Sequence, residues 1–227
     1  KQLGVVDQHQ RLLGRLLEIL AEEGWLQRTD EQWEVTSVPE IQDPQAQINT
    51  LLAQYPTAEA ELTLLERCGP KLAQVLKGEY DPLQLIFPEG DLTSTTKLYQ
   101  DSPGARAMNT LVQQTIASAL ERMPQGRVVR ILEIGAGTGG TTSYILPHLP
   151  VDQVEYTFTD VSPLFITQAQ EKFRDYPFLR YQLLDIEQTP ESQGFGSFQY
   201  DIIIAANILH ATRNLRQIVQ HVRQLLV

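Results

Sequence analysis

Glu133, Asp160, Asp185 and His210 each lie at or just beyond the end of a short apolar run, and the turn Gly135-Ala136-Gly137-Thr138-Gly139-Gly140 follows the first of them. A glycine-rich turn after a strand lets backbone approach a bound nucleotide where side chains would collide. A carboxylate at the end of the next strand can accept both ribose hydroxyls, and one after the third can accept from an adenine amino group. An imidazole past the fourth strand is the natural base near neutral pH. Plainer alternatives are a turn or N-cap role for Asp185 and a backbone-bonded helix-start role for His210.

Two nucleotide cofactors compete for this turn. Gly135, Gly137 and Gly140 satisfy G-x-G-x-x-G, and Asp160 follows 20 residues after Gly140, so spacing alone allows a dinucleotide. Glu133 separates the two, because a dinucleotide fold usually has an apolar side chain there. A buried carboxylate is costly unless it meets a cation or donors. The ammonium of S-adenosylmethionine would supply them; a structural Glu bonded to nearby backbone is the alternative. Asp160 would serve either cofactor.

The elements that must position these residues follow from periodicity. Strands are predicted at 128–134, 154–159, 179–184 and 200–206, with helices at about 104–122 and 214–226 and a further one after the glycine turn. Strands alternating with helices imply βαβ units and a parallel sheet, an α/β fold. Asp201 to Ala206 is apolar on both faces, as a central strand would be. Residues 1–95 read differently. An apolar helical face at Leu12, Leu13, Leu16, Leu17, Ile19 and Leu20 stops at Gly24 and precedes a hairpin from Trp25 to Val35. Helices are predicted at 44–54, 57–67 and 69–77, then loop where Pro82, Pro88 and Gly90 occur. Two domains are therefore expected, 1–95 and 96–227.

Composition excludes several classes. The 227 residues carry 18 Lys and Arg against 28 Asp and Glu, a net charge of −10, which argues against a nucleic-acid partner. The first 95 residues hold −9 of that charge and the rest −1. No run of about 18 apolar residues exists, so no membrane span is expected. With no basic-then-apolar leader, a cytoplasmic location is expected. Cys68 is the single cysteine, and no His/Asp/Glu cluster has ligand spacing, so no metal site is expected.

Four segments in order carry a resemblance: Leu132 to Thr142, Phe158-Thr159-Asp160-Val161-Ser162, Leu184-Asp185-Ile186-Glu187, and Asn207-Ile208-Leu209-His210-Ala211-Thr212. Together they resemble the methyltransferase domain of a modular polyketide synthase, most like the carbon-methylating kind. The similarity is strongest from about Leu98 onward. It implies a class I, Rossmann-like methyltransferase core with an N-terminal helical lid. It also implies S-adenosyl-L-methionine as cofactor, held at Glu133, Gly135, Ala136, Gly137, Gly139, Asp160, Val161, Asp185, Ile186 and Asn207. His210 would be the catalytic base, and Tyr99 lies in a segment that folds over the active site. The family continues into a fifth strand bearing a glutamate that orients the His, so the chain is expected to be a core cut after its fourth strand and following helix.

The implied reaction is methylation of the α-carbon of a β-ketoacyl thioester on the phosphopantetheine of an acyl carrier protein, among neighbouring synthase domains. Like charges disfavour docking of an acidic carrier protein on residues 1–95, so Arg106, Arg213 or Arg216 is its expected approach. The alternatives are an oxygen or nitrogen acceptor, a silent scaffold, and an NAD oxidoreductase, the last disfavoured by Glu133.

Overall fold

Runs of β-branched and aromatic residues form strands wherever one side of the chain can be buried against helices. The computed structural model describes residues 3–30, 32–40, 43–124 and 126–227. It divides into two compact units, Lys1–Thr95 and Thr96–Val227.

In the first unit, helix α1 (Gln10–Glu22) ends where Gly24 takes a left-handed φ of 78°. The hairpin β1 (Leu26–Thr29) and β2 (Gln32–Val35) follows, antiparallel, with Leu26 opposite Val35. Helix α2 (Pro44–Gln54) has Pro44 in its first turn, and the Asp43 carboxylate accepts from Gln45 N at 3.1 Å. Helices α3 (Glu59–Cys68) and α4 (Leu72–Leu76) come next. Ile48, Ala60, Val75, Leu76, Leu85 and Leu92 are buried. The loop expected around Pro82 and Pro88 is instead helix α5 (Leu83–Ile86) and a 3₁₀ turn, Pro88–Gly90. Both prolines stand where a turn begins; there the missing N–H costs nothing, so they start helical turns and do not break them. The short helix α6 (Thr93–Thr96) ends this stretch.

The second unit opens with a π-helical turn, Lys97–Asp101, and helix α7 (Pro103–Glu121), capped by Ser102. Strand β3 (Val129–Glu133), helix α8 (Gly140–Ile145), strand β4 (Val154–Asp160), helix α9 (Pro163–Lys172) and strand β5 (Leu179–Leu183) alternate. Strand β6 (Ile202–Ile204) and helix α10 (Leu215–Leu225) complete it. The strands form one parallel sheet in the order β5-β4-β3-β6, with Glu133 beside Phe158 on one side and Ile204 on the other. The strand order therefore reverses at β3, and the crevice above such a strand is where open α/β sheets bind ligands.

Alternation along β3 sorts its side chains between two cores. Ile131 joins Tyr156, Phe158, Ile145, Ala169 and Phe173 on one face, while Leu132 and Ile134 join Leu184, Ile186, Ile218 and Leu225 on the other. Burial of each such large apolar side chain contributes about 1.5–3 kcal/mol. Strand β6 is shorter than its apolar run. Among the described residues it stands at the sheet edge, with an isolated parallel bridge between Tyr200 and Leu226 on its outer side. Its pairing stops before Asn207, whose φ of 55° turns the chain away. No helix of the described residues is long and apolar enough to cross a membrane.

Candidate active site

Because β3 ends at Glu133, the glycine turn begins at the carboxyl edge of the sheet. Gly135, Gly137 and Gly139 take φ of 62°, 56° and 71°, which residues with a Cβ rarely adopt. Their surroundings differ. A Cβ on Gly135 would lie 2.6 Å from Ile208, one on Gly139 2.6 Å from Phe173, and one on Gly140 2.7 Å from the Tyr99 carbonyl. A Cβ on Gly137 would meet only the Gly135 carbonyl, at 4.0 Å. Three glycines are thus demanded by protein packing, and Gly137 alone turns an uncovered face outward.

Glu133 is buried, and its Oε2 accepts from the Thr142 hydroxyl at 2.5 Å and the Tyr156 hydroxyl at 2.6 Å. Burial pushes its pKa from 4.5 to about 7, against the pull of those two donors. No cation lies within ion-pair distance of it among the described residues; Lys172 acts on it only through space. The carboxyl therefore meets side-chain hydroxyls, not the backbone donors of the plainer sequence reading. Desolvation of the phenol raises the Tyr156 hydroxyl pKa, and the neighbouring Glu133 charge and its hydrogen bond raise it further.

Asp160 ends β4 and is also buried. Its Oδ2 accepts from Gly137 N at 3.0 Å and its Oδ1 from Ser162 N at 2.9 Å, so it ties the glycine turn to the following loop. Desolvation raises its pKa, and the backbone donors from Ser162, Gly137 and Val161 oppose that. With three backbone donors on about four acceptor positions, the carboxylate keeps room for one further hydroxyl. Val161 beside it is exposed and Ala136 partly buried.

Asp185 is half-buried at the end of the third parallel strand's loop, where Oδ1 accepts from Glu187 N at 2.9 Å in an Asx turn. Gln193 clamps the Asp185 backbone from both sides, accepting from its N–H at 2.8 Å and donating to its carbonyl at 2.9 Å. The Ile186 side chain is buried in the second core, and its carbonyl accepts from His221 Nδ1 at 2.8 Å.

His210 lies in an exposed 3₁₀ turn, Leu209–Ala211, and makes no hydrogen bond among the described residues. The turn is held from outside: Thr212 Oγ1 donates to Leu209 O at 2.7 Å, and Glu187 Oε1 accepts from Arg213 N at 2.6 Å. Asn207 is exposed just before it. Tyr99 sits in the π-helical turn, its ring partly exposed and its carbonyl accepting from Asn109 Nδ2 at 3.0 Å.

The structure thus brings Glu133, Gly137, Asp160 and, through Ile208, the His210 turn to one edge of the sheet. Sequence reasoning missed Thr142, Tyr156, Glu187, Gln100 and Lys172. Tyr156 carried a usable signal, since a phenol in an otherwise apolar buried strand must find a partner for its hydroxyl. A cavity of about 290 Å³ lies at the opposite edge, lined by Leu120, Met123, Arg127, Val129, His148 and Gln153, and holds none of the sequence-predicted site residues.

The residues fit a cationic, adenosine-bearing cofactor: a buried carboxyl without a cation, an uncovered Gly137 and carboxylates after the next two strands. Comparisons with known proteins agree. Residues 132–227 match a family described as a methyltransferase domain. A non-reducing polyketide synthase of Aspergillus calidoustus is 35% identical over 99% of this chain, which spans only 9% of that synthase. The solved CurJ carbon methyltransferase is 58% identical, with a TM-score of 0.93, over 99% of this chain and 60% of that one. The trans-methyltransferase CalH, solved with S-adenosylhomocysteine, is 30% identical with a TM-score of 0.61 over 80% of this chain and 50% of its own. Along nearly its whole length the chain is therefore similar to carbon methyltransferase domains, the citrinin polyketide synthase's among them, and residues 132–227 match a methyltransferase domain, which implies S-adenosylmethionine as cofactor.

Proposed function

We propose that this domain methylates the α-carbon of a β-ketoacyl thioester carried on the phosphopantetheine of an acyl carrier protein, with His210 as the general base. The observation that supports the reading is the packing of Ile208 against Gly135, which holds the turn bearing His210 beside the glycine turn. When bound, S-adenosylmethionine supplies an electrophilic methyl group. Glu133 would receive the cofactor's ammonium, Gly135, Ala136, Gly137 and Gly139 would form its cradle, and Asp160 with Val161 would hold the ribose. Asp185 and Ile186 would face the adenine, and Asn207 would line the pocket near the donor.

The proton between two carbonyls is acidic, so an imidazole can remove it near neutral pH and leave an enolate carbon to attack. The exposed position of His210 leaves its ring open to a substrate delivered from solvent. Tyr99, on the turn latched over the start of α8, would meet the acyl chain. Arg106, Arg213 and Arg216 are exposed and would receive the carrier protein, since residues 1–95 are acidic. Neighbouring synthase domains would complete a cytoplasmic assembly line.

The test is to incubate the protein with S-adenosylmethionine and a β-ketoacyl carrier protein and weigh the acyl-pantetheine. A gain of one methylene at the α-carbon, lost in His210→Ala, is the expected result. Methylation on oxygen, or full turnover by His210→Ala, would refute the acceptor or the base respectively.

A further inference from the structure

Lys172, the last residue of α9, is placed unusually for a lysine. Its ammonium donates to the Gln100 side-chain oxygen at 2.8 Å and to the Thr138 carbonyl at 3.0 Å, and lies 5.2 Å from the centre of the Phe173 ring. It makes no ion pair among the described residues; Asp101 and Glu133 act on it only through space. Lys172 is an exposed residue, yet its ammonium rests on two neutral oxygens and beside an aromatic ring, and the desolvation this brings lowers its pKa.

Thr138 belongs to the glycine turn, between Gly137 with its open face and Gly139 at a φ of 71°. Holding the Thr138 carbonyl fixes the peptide plane that leads into Gly139. Gln100 belongs to the π-helical turn that carries Tyr99. Neutral hydrogen bonds also join that turn to the core: Asn109 to the Tyr99 carbonyl, Tyr144 to the Gln100 carbonyl at 3.2 Å, and Ser143 to the Gln100 side chain at 3.4 Å. Lys172 bridges the two segments with a charged donor; the Ser143 hydroxyl also stands between them, 2.7 Å from the Gly139 carbonyl and 3.4 Å from the Gln100 side-chain oxygen.

We infer that Lys172 is a positioning residue for the cofactor site: one ammonium locks the glycine turn and the Tyr99-bearing turn in register, so that either segment loosens when the other is released. This rests on the glycine turn being where the cofactor binds. A charge-assisted donor is suited to the task because it is stronger than a neutral one and can serve two acceptors at once.

The test is calorimetric titration of S-adenosylhomocysteine into the wild-type chain, Lys172→Met, Gln100→Leu and the double variant. Methionine keeps an aliphatic stem against Phe173, so packing survives the loss of charge. Each single change is expected to weaken binding at least tenfold, the double change no more than either alone, and Lys172→Arg to stay within about threefold of wild type. Binding by Lys172→Met within twofold of wild type, or losses that multiply in the double variant, would overturn the inference. Amide hydrogen exchange on the ligand-free chain gives an independent readout. Lys172→Met should speed exchange in residues 97–101 and 135–139 together, and unchanged exchange in either segment would also overturn it. A wild-type chain that takes up no S-adenosylhomocysteine would instead refute the cofactor site itself, and the positioning role with it.

Discussion

Ile208 occupies the space that a side chain at Gly135 would need: a Cβ there would lie 2.6 Å from Ile208 Cγ1 and 3.0 Å from Ile208 Cβ. The turn after β3 and the turn after β6 are therefore packed as one unit, and the first glycine of the glycine-rich turn is where they meet.

Gly135→Ala should damage both turns. The left-handed φ and the overlap with a branched side chain together cost about 1–3 kcal/mol, read as a lower unfolding midpoint. Gly137→Ala carries the backbone strain without the overlap. Its unfolding midpoint should fall less, while its affinity for S-adenosylhomocysteine should fall at least tenfold, because the new methyl projects into the uncovered face. Urea melts beside calorimetric titrations separate the two effects.

Glu133 should make stability depend on pH in a defined sense. Its folded pKa of about 7 lies above the ordinary 4.5, so the folded state binds the proton more tightly than the unfolded one. The stability from the protonated form is complete below pH 4.5 and is lost as pH rises to about 7. For this one group the loss is on the order of 3 kcal/mol. Glu133→Gln should flatten that part of the profile, measured as unfolding free energy at pH 4.5, 5.5, 6.5 and 7.5. A variant profile as steep as wild type would mean the slope comes from other groups.

Tyr156→Phe removes one of the two donors to Glu133 and leaves the ring in the core. Destabilisation of about 1–2 kcal/mol is expected, since the carboxyl Oε2 then keeps only Thr142. The Glu133 pKa should rise further, moving the pH profile upward.

Glu187→Ala should separate binding from turnover. The Glu187 carboxylate accepts from Arg213 N and so holds the far end of the His210 turn. Without it His210 is less well placed for its proposed role, and kcat should fall about tenfold, equivalent to about 1.4 kcal/mol. The affinity for S-adenosylhomocysteine should change less than twofold. Glu187→Gln retains an acceptor and should recover most of the rate.

Local patterning was sufficient for the α/β class, the four parallel strands and the glycine turn, because period-two apolar runs and left-handed glycines are short-range signals. The same local reading turned Pro82 and Pro88 into loop, since a proline's effect depends on whether it starts a turn or interrupts one. Glu133 was legible as an anomaly: a carboxylate in an apolar strand. Its partners were not, because Thr142 is nine residues away and Tyr156 twenty-three, and only the packing of β3, α8 and β4 makes them neighbours. Nor could the motif distinguish its glycines; Phe173, Ile208 and the Tyr99 carbonyl decide which positions are filled by protein and leave Gly137 open. The sequence by itself determined which residue types stand at the strand ends. Tertiary structure decided which of them touch, because hydrogen bonds and steric exclusion act over a few ångströms in space and are blind to distance along the chain.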